Sequence, residues 1–185
     1  MESPVARDME SVTSPATDLE RIFRENYAAV FRAAYRVAGN AADAEDVLQT
    51  VFLRMVKRDP AAEPVENMSS FLHRSAINAA LDLVRARQHV RSVPLDDWEP
   101  VLAESAHRRP DRAQAAGEIR EWLRGALARL NPRIAQMFIL RFLEGKENPE
   151  IARLLDTTPG TVAVTLSRTR DRLKKEFRSY LGGEA

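Results

Sequence analysis

Basic side chains are concentrated near the end of the chain, at a density that suits binding to phosphate groups. Residues 157–178 carry six basic and two acidic side chains, a local balance of +4, whereas the whole 185-residue chain has 28 basic and 27 acidic residues. A local basic surface on a nearly neutral chain is the pattern expected of a nucleic-acid-binding segment. The cations are Arg168, Arg170, Arg172, Lys174, Lys175 and Arg178.

The segment from Asn148 to Phe177 has the layout of a helix-turn-helix, in which a second helix enters the DNA major groove. Asn148 can cap a short helix, with Pro149 at its first position. Asp156 tolerates the left-handed backbone of a break, and Thr158 can cap the second helix. A capped hairpin with a solvated basic face is the alternative, but the concentrated charge favours DNA binding. The positions predicted to face inward are Val162, Leu166, Leu173 and Phe177.

The composition favours an all-α protein, because glycine is scarce and alternating β-branched runs are nearly absent. The chain has no cysteine, which excludes disulfides and thiolate metal sites and suits a reducing cytoplasm. No apolar run approaches the roughly 18 residues of a membrane span, and residues 1–18 lack the apolar segment of a secretory signal. We therefore expect a cytoplasmic protein without membrane insertion, cofactor or metal.

Hydrophobic periodicity predicts two small helical domains joined by a linker. We expect a disordered leader over residues 1–18, a first domain over 19–91 and a second domain over 118–185. Between the domains, residues 92–117 lose apolar periodicity and contain three prolines and a cluster of acids, which predicts an acidic flexible linker.

Three helices are predicted in the first domain: about Leu19–Ala38 with Asp18 as its cap, about Ala42–Arg58, and a third that begins after Ser69 or Ser70 and reaches about Val90. The first helix is expected to bury Ile22, Phe23, Val30, Phe31 and Ala34. The second is expected to bury Ala44, Val47, Leu48, Val51, Phe52 and Met55.

The second domain is predicted to open with a helix over Glu118–Leu130. Asn131 and Pro132 then cap and begin a helix that runs to about Leu143, and Gly145 ends it. The helix-turn-helix completes this domain.

Four residues of the second helix lie outside its buried stripe and are spaced three or four residues apart: Asp43, Asp46, Gln49 and Leu53. They are predicted to form one exposed ridge with an acidic end. The residues alone favour an ordinary solvated face, with acids placed near the helix N-terminus by the dipole.

The third helix is basic, with four arginines and one aspartate over residues 71–91. Its arginines, together with Phe71 and Asn78, would suit backbone phosphates and an unstacked base. An ordinary amphipathic helix with Phe71 and Leu72 in the core explains the same residues equally well, so this choice stays open on the residues alone.

Taken together, four segments resemble successive conserved regions of bacterial RNA polymerase sigma factors. The nearest resemblance is to the extracytoplasmic-function (ECF) group, which keeps only the second and fourth sigma regions. The order and spacing of the segments agree over about residues 19–178. The segments are DAEDVLQTVFLRM (43–55), FLHRSAINAALDLVRAR (71–87), LNPRIAQMFILRFLEG (130–145) and EIARLLDTTPGTVAVTLSRTRDRL (150–173).

The resemblance implies that the ridge on the second helix docks the clamp coiled coil of the polymerase β′ subunit. Asp46 and Gln49 match the contacting positions, and Thr50 stands where the family usually has Glu. The expected core-polymerase-binding residues are Asp43, Asp46, Gln49, Thr50 and Leu53.

The resemblance also implies that the third helix recognises and melts the minus-ten promoter element. Asn78 matches the family's asparagine near the flipped-out base, and the loop from Asp59 to Met68 matches the loop that lines its pocket. Phe71 occupies the place of an aromatic residue that is often Trp. The expected minus-ten-binding residues are Phe71, Arg74, Asn78, Arg85 and Arg87.

The C-terminal helix would read the minus-thirty-five element, but it departs from the family pattern. Where the family commonly has Lys-Ser-Arg, this chain has Ala163-Val164-Thr165. Because apolar side chains contact thymine methyl groups whereas Arg reads guanine, we expect a T-containing site. The last three residues of the expected set would bind phosphates. The expected minus-thirty-five-binding residues are Thr161, Ala163, Val164, Thr165, Ser167, Arg168, Arg170 and Lys174.

The partners implied by the resemblance are core RNA polymerase (the β′ clamp and the β flap), promoter DNA and an anti-sigma factor. The acidic linker would follow the RNA-exit path. Two alternatives remain: a stand-alone helix-turn-helix regulator that does not join polymerase, and a helical adaptor that binds only proteins. An enzyme is not expected, because no catalytic constellation is visible.

Overall fold

The computed structural model describes residues 15–59, 64–92 and 112–182, and these residues form seven helices and no strand. Within the same residues, no helix is both long enough and apolar enough to cross a membrane. The all-α class predicted from the sequence is confirmed. The helices are α1 (Pro15–Ala38), α2 (Ala41–Val56), α3 (Met68–Ser92), α4 (Arg112–Ala128), α5 (Pro132–Phe142), α6 (Asn148–Leu154) and α7 (Pro159–Gly182).

The first three helices pack against one another and form a first bundle. The apolar face of α2 is buried as its periodicity predicts, and it meets Leu72 and Ile77 of α3, both fully buried. On α1 the prediction holds for Val30 and Ala34 but is wrong for Phe23, which is 40% exposed. The Phe23 ring packs edge-on against Phe52, with 4.6 Å between ring centroids, and therefore lies at the rim of the core.

Helices α4–α7 form a second bundle, whose centre is built from α5, α6 and α7. Ile139, Ile151 and Val162 are fully buried there. Phe177, predicted to face inward, is half-buried and packs against Trp122 of α4, with ring centroids 4.7 Å apart.

Two helices of the first bundle begin earlier than their sequence signals suggest. Helix α1 begins at Pro15, so Asp18 lies in the first turn and pairs with Arg21 at 3.2 Å instead of capping the helix. Helix α3 begins at Met68, because the side-chain oxygen of Asn67 accepts a hydrogen bond from the Ser70 N–H at 2.9 Å. Asn67 therefore caps α3, the role predicted for Ser69 or Ser70. Its side chain satisfies a backbone N–H that has no acceptor within the helix.

Helices α3 and α4 both extend into the segment that was predicted to be a linker. Helix α3 continues to Ser92, and α4 begins at Arg112, six residues before the predicted Glu118. The segment after Arg112 contains several alanines, and alanine has the strongest intrinsic helix propensity even where apolar periodicity is weak. Residues 1–14 of the predicted leader and 93–111 of the predicted linker lie outside the described residues.

The helix-turn-helix forms with one change at its first cap. Asp156 has a positive φ of 48°, and the Thr158 hydroxyl accepts from the Thr161 N–H at 3.1 Å, both as predicted. Helix α6, however, is capped by Glu147 in a capping box with Glu150. Asn148 becomes the first helical residue, and its Oδ1 is buried without a partner. The reciprocal Glu147–Glu150 pair satisfies two backbone N–H groups and therefore displaces the single Asn cap.

The two bundles pack against each other, an arrangement that the sequence left open. Helix α3 contacts both α4 and α5, and the buried apolar residues of the two bundles belong to one cluster.

Candidate polymerase- and DNA-binding surfaces

Three of the four residues predicted to form an exposed ridge on α2 are exposed in the structure. Asp46, Gln49 and Leu53 are exposed, with Leu53 at 56%, and Thr50 is half-buried beside them. We call these four residues the α2 ridge. The apolar Leu53 side chain is open to solvent one helical turn beyond the Gln49 amide and is therefore available for a partner.

Asp43 does not belong to this ridge, because its side chain is buried, and the prediction that it is exposed is wrong. It is 3% exposed, and its carboxylate forms a two-point ion pair with the Arg87 guanidinium. Asn40 caps α2 through the Asp43 N–H at 2.9 Å and donates from Nδ2 to the Asp43 carboxylate at 2.7 Å. The sequence contained this signal, because an Asn with an acid three residues later has capping-box spacing.

The beginning of α3 presents an aromatic ring next to a cation. Phe71 is half-buried, and the Arg58 guanidinium carbon lies 5.5 Å from its ring centroid. Arg74 is half-buried on the next turn. Of the loop expected to line a base pocket, the structure describes Asp59 and residues 64–67; residues 60–63 lie outside the described residues.

Asn78 and Arg85, expected to contact single-stranded DNA, are both engaged by the second bundle. The Gln136 side chain donates from Nε2 to Asn78 Oδ1 at 2.6 Å. The Arg85 guanidinium donates from Nε to the Ala128 carbonyl at 2.6 Å and also pairs with Asp82 at 2.6 Å. Gln136 carries no sequence signal for this role, since it lies within an apolar run of α5.

The face of α7 expected to read duplex DNA is open. Val162 and Leu166 are buried, as helical spacing predicts, and Thr169 is buried between them and Leu173. Val164 is 51% exposed and therefore does not belong to the core. Thr165 is half-buried, and the remaining expected contacts are exposed, namely Thr161, Ala163, Val164, Ser167, Arg168, Arg170 and Lys174.

The cations of α7 fall into two groups. Arg172 donates to Glu176 at 2.7 Å, and Arg170 lies 3.8 Å from Asp171. Arg168 and Lys174 form no ion pair with any residue in the described part of the chain. The unpaired cations are the stronger candidates for phosphate contact, because binding DNA breaks no existing ion pair.

A cavity of about 250 Å³ joins this face to the ends of two neighbouring helices. Arg141 of α5 lines it together with Asn148 of α6 and Ser167 and Arg170 of α7. Arg141 donates to the Lys146 carbonyl at 3.0 Å and lies 2.8 Å from the Glu147 carboxylate. Sequence reasoning missed Arg141, because only the packing of α5 against α7 brings it to the basic face.

Comparison with known proteins gives two family matches. The Sigma-70 region 2 model matches residues 22–90, and the model of Sigma-70, region 4 matches residues 120–173. The first match lies within α1–α3 and the second within α4–α7, so each family region corresponds to one bundle.

Three relatives illustrate the likeness. The ECF RNA polymerase sigma factor SigE of Mycolicibacterium smegmatis is 31% identical over 156 residues, which cover 84% of this chain and 60% of that protein. The RNA polymerase sigma-E factor of Streptomyces coelicolor is 29% identical over 161 residues, 86% of each chain. The ECF RNA polymerase sigma factor SigW of Bacillus subtilis is 22% identical over 169 residues, 87% of this chain and 88% of that protein.

The chain thus spans less than two thirds of the Mycolicibacterium protein and most of the other two. The region 2 match precedes the region 4 match along the chain, and each coincides with one helical bundle. The chain belongs to the extracytoplasmic-function group of RNA polymerase sigma factors.

Proposed function

We propose that this chain joins core RNA polymerase and directs it to promoters, where it recognises the minus-thirty-five and minus-ten elements and opens the duplex. The observation that carries the proposal is the presence of two separate open surfaces on the two sigma regions, the α2 ridge and the basic face of α7. The chain acts by binding, not by catalysis, and it works in the cytoplasm with its polymerase.

The first bundle would supply the polymerase contact and the melting contacts. The α2 ridge offers Leu53 as an apolar anchor at one end and the polar Gln49 and Asp46 on the two preceding turns, a pattern that suits a basic or polar coiled coil such as the β′ clamp. Helix α3 would hold the displaced strand through Phe71, Arg74 and Asn78, with Arg85 and Arg87 near its end. Binding of unstacked bases would offset the cost of flipping them, roughly a few kcal/mol per base.

The second bundle would supply the duplex contact. Helix α7 would enter the major groove with Ala163, Val164 and Thr165 facing the bases, while Arg168, Arg170 and Lys174 grip phosphates. Thr161 and Ser167 flank the reading positions. Arg141 joins these phosphate contacts through the cavity beside α7. The same bundle would meet the β flap, and an anti-sigma factor would act by covering these open surfaces.

Binding to core polymerase tests the proposal and separates it from a stand-alone DNA-binding regulator. The wild-type chain is compared with an Asp46→Ala/Gln49→Ala variant by fluorescence titration with purified core enzyme. Glu25→Ala/Gln114→Ala is the matched control, because it removes one carboxylate and one amide from exposed positions on α1 and α4.

We expect the ridge variant to lose affinity by at least about tenfold, or 1.4 kcal/mol, and the control to bind like wild type. Absence of core binding by the wild-type chain would overturn the proposal and favour a regulator that acts alone. Equal binding by all three proteins would place the polymerase contact elsewhere.

A further inference from the structure

We infer that Arg133, near the start of α5, is a positioning residue for duplex recognition: it holds the break between α6 and α7 and thereby sets the direction of α7. This inference rests on the proposed function, because it assumes that α7 enters the major groove. Arg133 itself does not touch the DNA. It controls which base edges the side chains of α7 meet, and not how strongly the chain attracts phosphates.

One guanidinium nitrogen of Arg133 binds two backbone carbonyls at the break. Nη2 donates to the Leu155 carbonyl and, at 2.8 Å, to the Asp156 carbonyl. Asp156 is the left-handed residue of the break, with a φ of 48°. The backbone of Arg133 is fixed as well, since its N–H donates to Asn131 Oδ1 at 3.0 Å. A charged donor on α5 therefore holds the two peptide oxygens at which the chain turns from α6 towards α7.

The carbonyls that Arg133 binds lie at the end of a helix, where donors are needed. The last carbonyls of an α-helix lack partners within the helix and carry the negative end of its dipole. At the end of α6, the Thr157 N–H donates to the Ala152 carbonyl at 2.9 Å. Arg133 binds the carbonyls of Leu155 and Asp156, which lie further along the chain. Its positive charge is also favourable at this end of the dipole.

Helix α6 is held by α5 at both of its ends. It has seven residues, about 10 Å of helix, and a helix of this length is not stable alone in water. At its first end, Arg141 donates to the Lys146 carbonyl at 3.0 Å and lies 2.8 Å from the carboxylate of Glu147, the N-cap. Arg133 binds the other end. The two arginines are separated by about 12 Å along α5, which is close to the length of α6.

The break that Arg133 holds leads directly into the helix proposed to read DNA. Thr158, two residues after Asp156, caps α7 by accepting from the Thr161 N–H at 3.1 Å. The side chains proposed to face the bases, Ala163 to Thr165, lie between one and two turns beyond that cap. A change of direction at Asp156 therefore moves these side chains relative to the groove, whereas the cations of α7 still reach the phosphate backbone.

Duplex binding by the full chain tests the inference. Arg133→Ala removes the donors, and Arg133→Lys keeps the charge but loses the planar fork. Arg120→Ala is the matched control, because it removes an exposed arginine from α4 of the same bundle. Fluorescence anisotropy over a salt series measures binding to a duplex with the selected minus-thirty-five site and to a scrambled duplex of equal length. Urea denaturation gives the folded fraction of each protein, so that affinities refer to the folded chain.

We expect Arg133→Ala to bind the selected duplex about tenfold more weakly than wild type, on the scale of one mismatched base pair, and to bind the scrambled duplex unchanged. The slope of log K against the logarithm of salt concentration should keep its wild-type value, because no phosphate contact is lost. Arg133→Lys should lose about threefold on the selected duplex, because one ammonium replaces the guanidinium as donor to the two carbonyls. The control should match wild type on both duplexes.

A direct phosphate contact by Arg133 would give a different result. Arg133→Ala would then weaken binding to both duplexes equally and reduce the magnitude of the slope by about 1, and Arg133→Lys would bind like wild type. That result would overturn the inference. A folded Arg133→Ala chain with the wild-type preference for the selected duplex would also overturn it, since Arg133 would then contribute to stability alone. If Arg133→Ala does not fold, an Arg133→Lys variant identical to wild type is the contradicting outcome.

The wild-type chain separates failure of this inference from failure of the proposed function. A wild-type chain that binds the selected and the scrambled duplex equally would refute duplex reading by α7, and the role of Arg133 with it. A wild-type preference that all variants share would refute the role of Arg133 alone and leave duplex reading intact.

Discussion

The Arg87 guanidinium on α3 grips the Asp43 carboxylate at the start of α2 through two parallel hydrogen bonds, and Asp43 is 3% exposed. This pair joins α2, which carries the proposed polymerase-binding ridge, to α3, which carries the proposed melting contacts. Asn40 completes the site, because it caps α2 and donates to the same carboxylate. The pair therefore fixes the position of α2 relative to α3, and the buried Asp43 carboxylate is not available to a partner.

Asp43→Ala is expected to lower the free energy of unfolding by about 2 kcal/mol, since it removes charge-assisted hydrogen bonds from a buried position. Asp46→Ala, three residues further along the same helix, removes an exposed carboxylate and should change stability by less than about 0.5 kcal/mol. Urea denaturation followed by circular dichroism measures both. Equal stability of the two variants would show that the Asp43–Arg87 pair contributes nothing to the fold.

The cap of α6 gives a second stability prediction. Glu147→Ala should destabilise the second bundle by about 1 kcal/mol, because it removes one half of the capping box and the ion pair with Arg141. Asn148→Ala should cost less than about 0.5 kcal/mol, since the buried Asn148 Oδ1 has no hydrogen-bond partner to lose. Thermal unfolding of wild type and of the two variants measures both changes in stability. A larger loss of stability for Asn148→Ala than for Glu147→Ala would indicate that Asn148 is the cap.

Val164 is expected to set part of the minus-thirty-five preference. Binding-site selection with the wild-type chain and core polymerase should return sites with thymine opposite residues 163–165, because apolar side chains contact the thymine methyl group. Val164→Ala removes the equivalent of two methylenes, each worth about 0.8 kcal/mol when fully buried. It should weaken binding to the selected site by roughly 1 kcal/mol and relax the preference for thymine, because the contact with a methyl group in the groove buries them only partly.

Val56→Ala is the control for this experiment, because Val56 is 56% exposed on α2 and thus resembles Val164 in type and exposure. The control should leave duplex binding unchanged. Sites rich in guanine opposite residues 163–165 would contradict the prediction.

The unpaired cations of α7 should determine the salt dependence of duplex binding. Arg168→Ala and Lys174→Ala are each expected to reduce the magnitude of the slope of log K against the logarithm of salt concentration by about 1, because each substitution removes one phosphate contact. Arg172→Ala should change the slope less, because Arg172 already pairs with Glu176 at 2.7 Å. Fluorescence anisotropy over a salt series gives all three slopes. A larger change for Arg172 than for Arg168 would place the phosphate backbone on a different side of α7.

Local signals in the sequence were sufficient for most of the secondary structure. The apolar face of α2, the left-handed Asp156 and the Thr158 cap all occur where the residues predict them, because each depends on contacts within a few residues. The ends of α1, α3 and α4 were placed incorrectly, since competing caps and alanine propensity shift a boundary without altering the apolar pattern.

The polar side chains were harder to assign than the core. Asp43 has the spacing of the α2 ridge, yet the position of Arg87, forty-four residues later, removes it from the surface. Arg141 and Gln136 carry no recognisable signal within α5, although one lines the basic cavity beside α7 and the other holds Asn78. A helical period shows which side of a helix faces a core, but it does not show which partner meets the other side.

The sequence by itself determined the all-α class, the two helical regions, the helix-turn-helix and the sigma-factor resemblance, because periodicity, caps and motif order are properties of the chain. The tertiary structure alone decided which polar residues are available: it buried Asp43, left Asp46 and Val164 open, and set the second bundle on Asn78 and Arg85. The physical reason is that hydrogen bonds and ion pairs between distant segments depend on how the helices pack. The packing between two bundles cannot be predicted from the hydrophobic periodicity of either bundle.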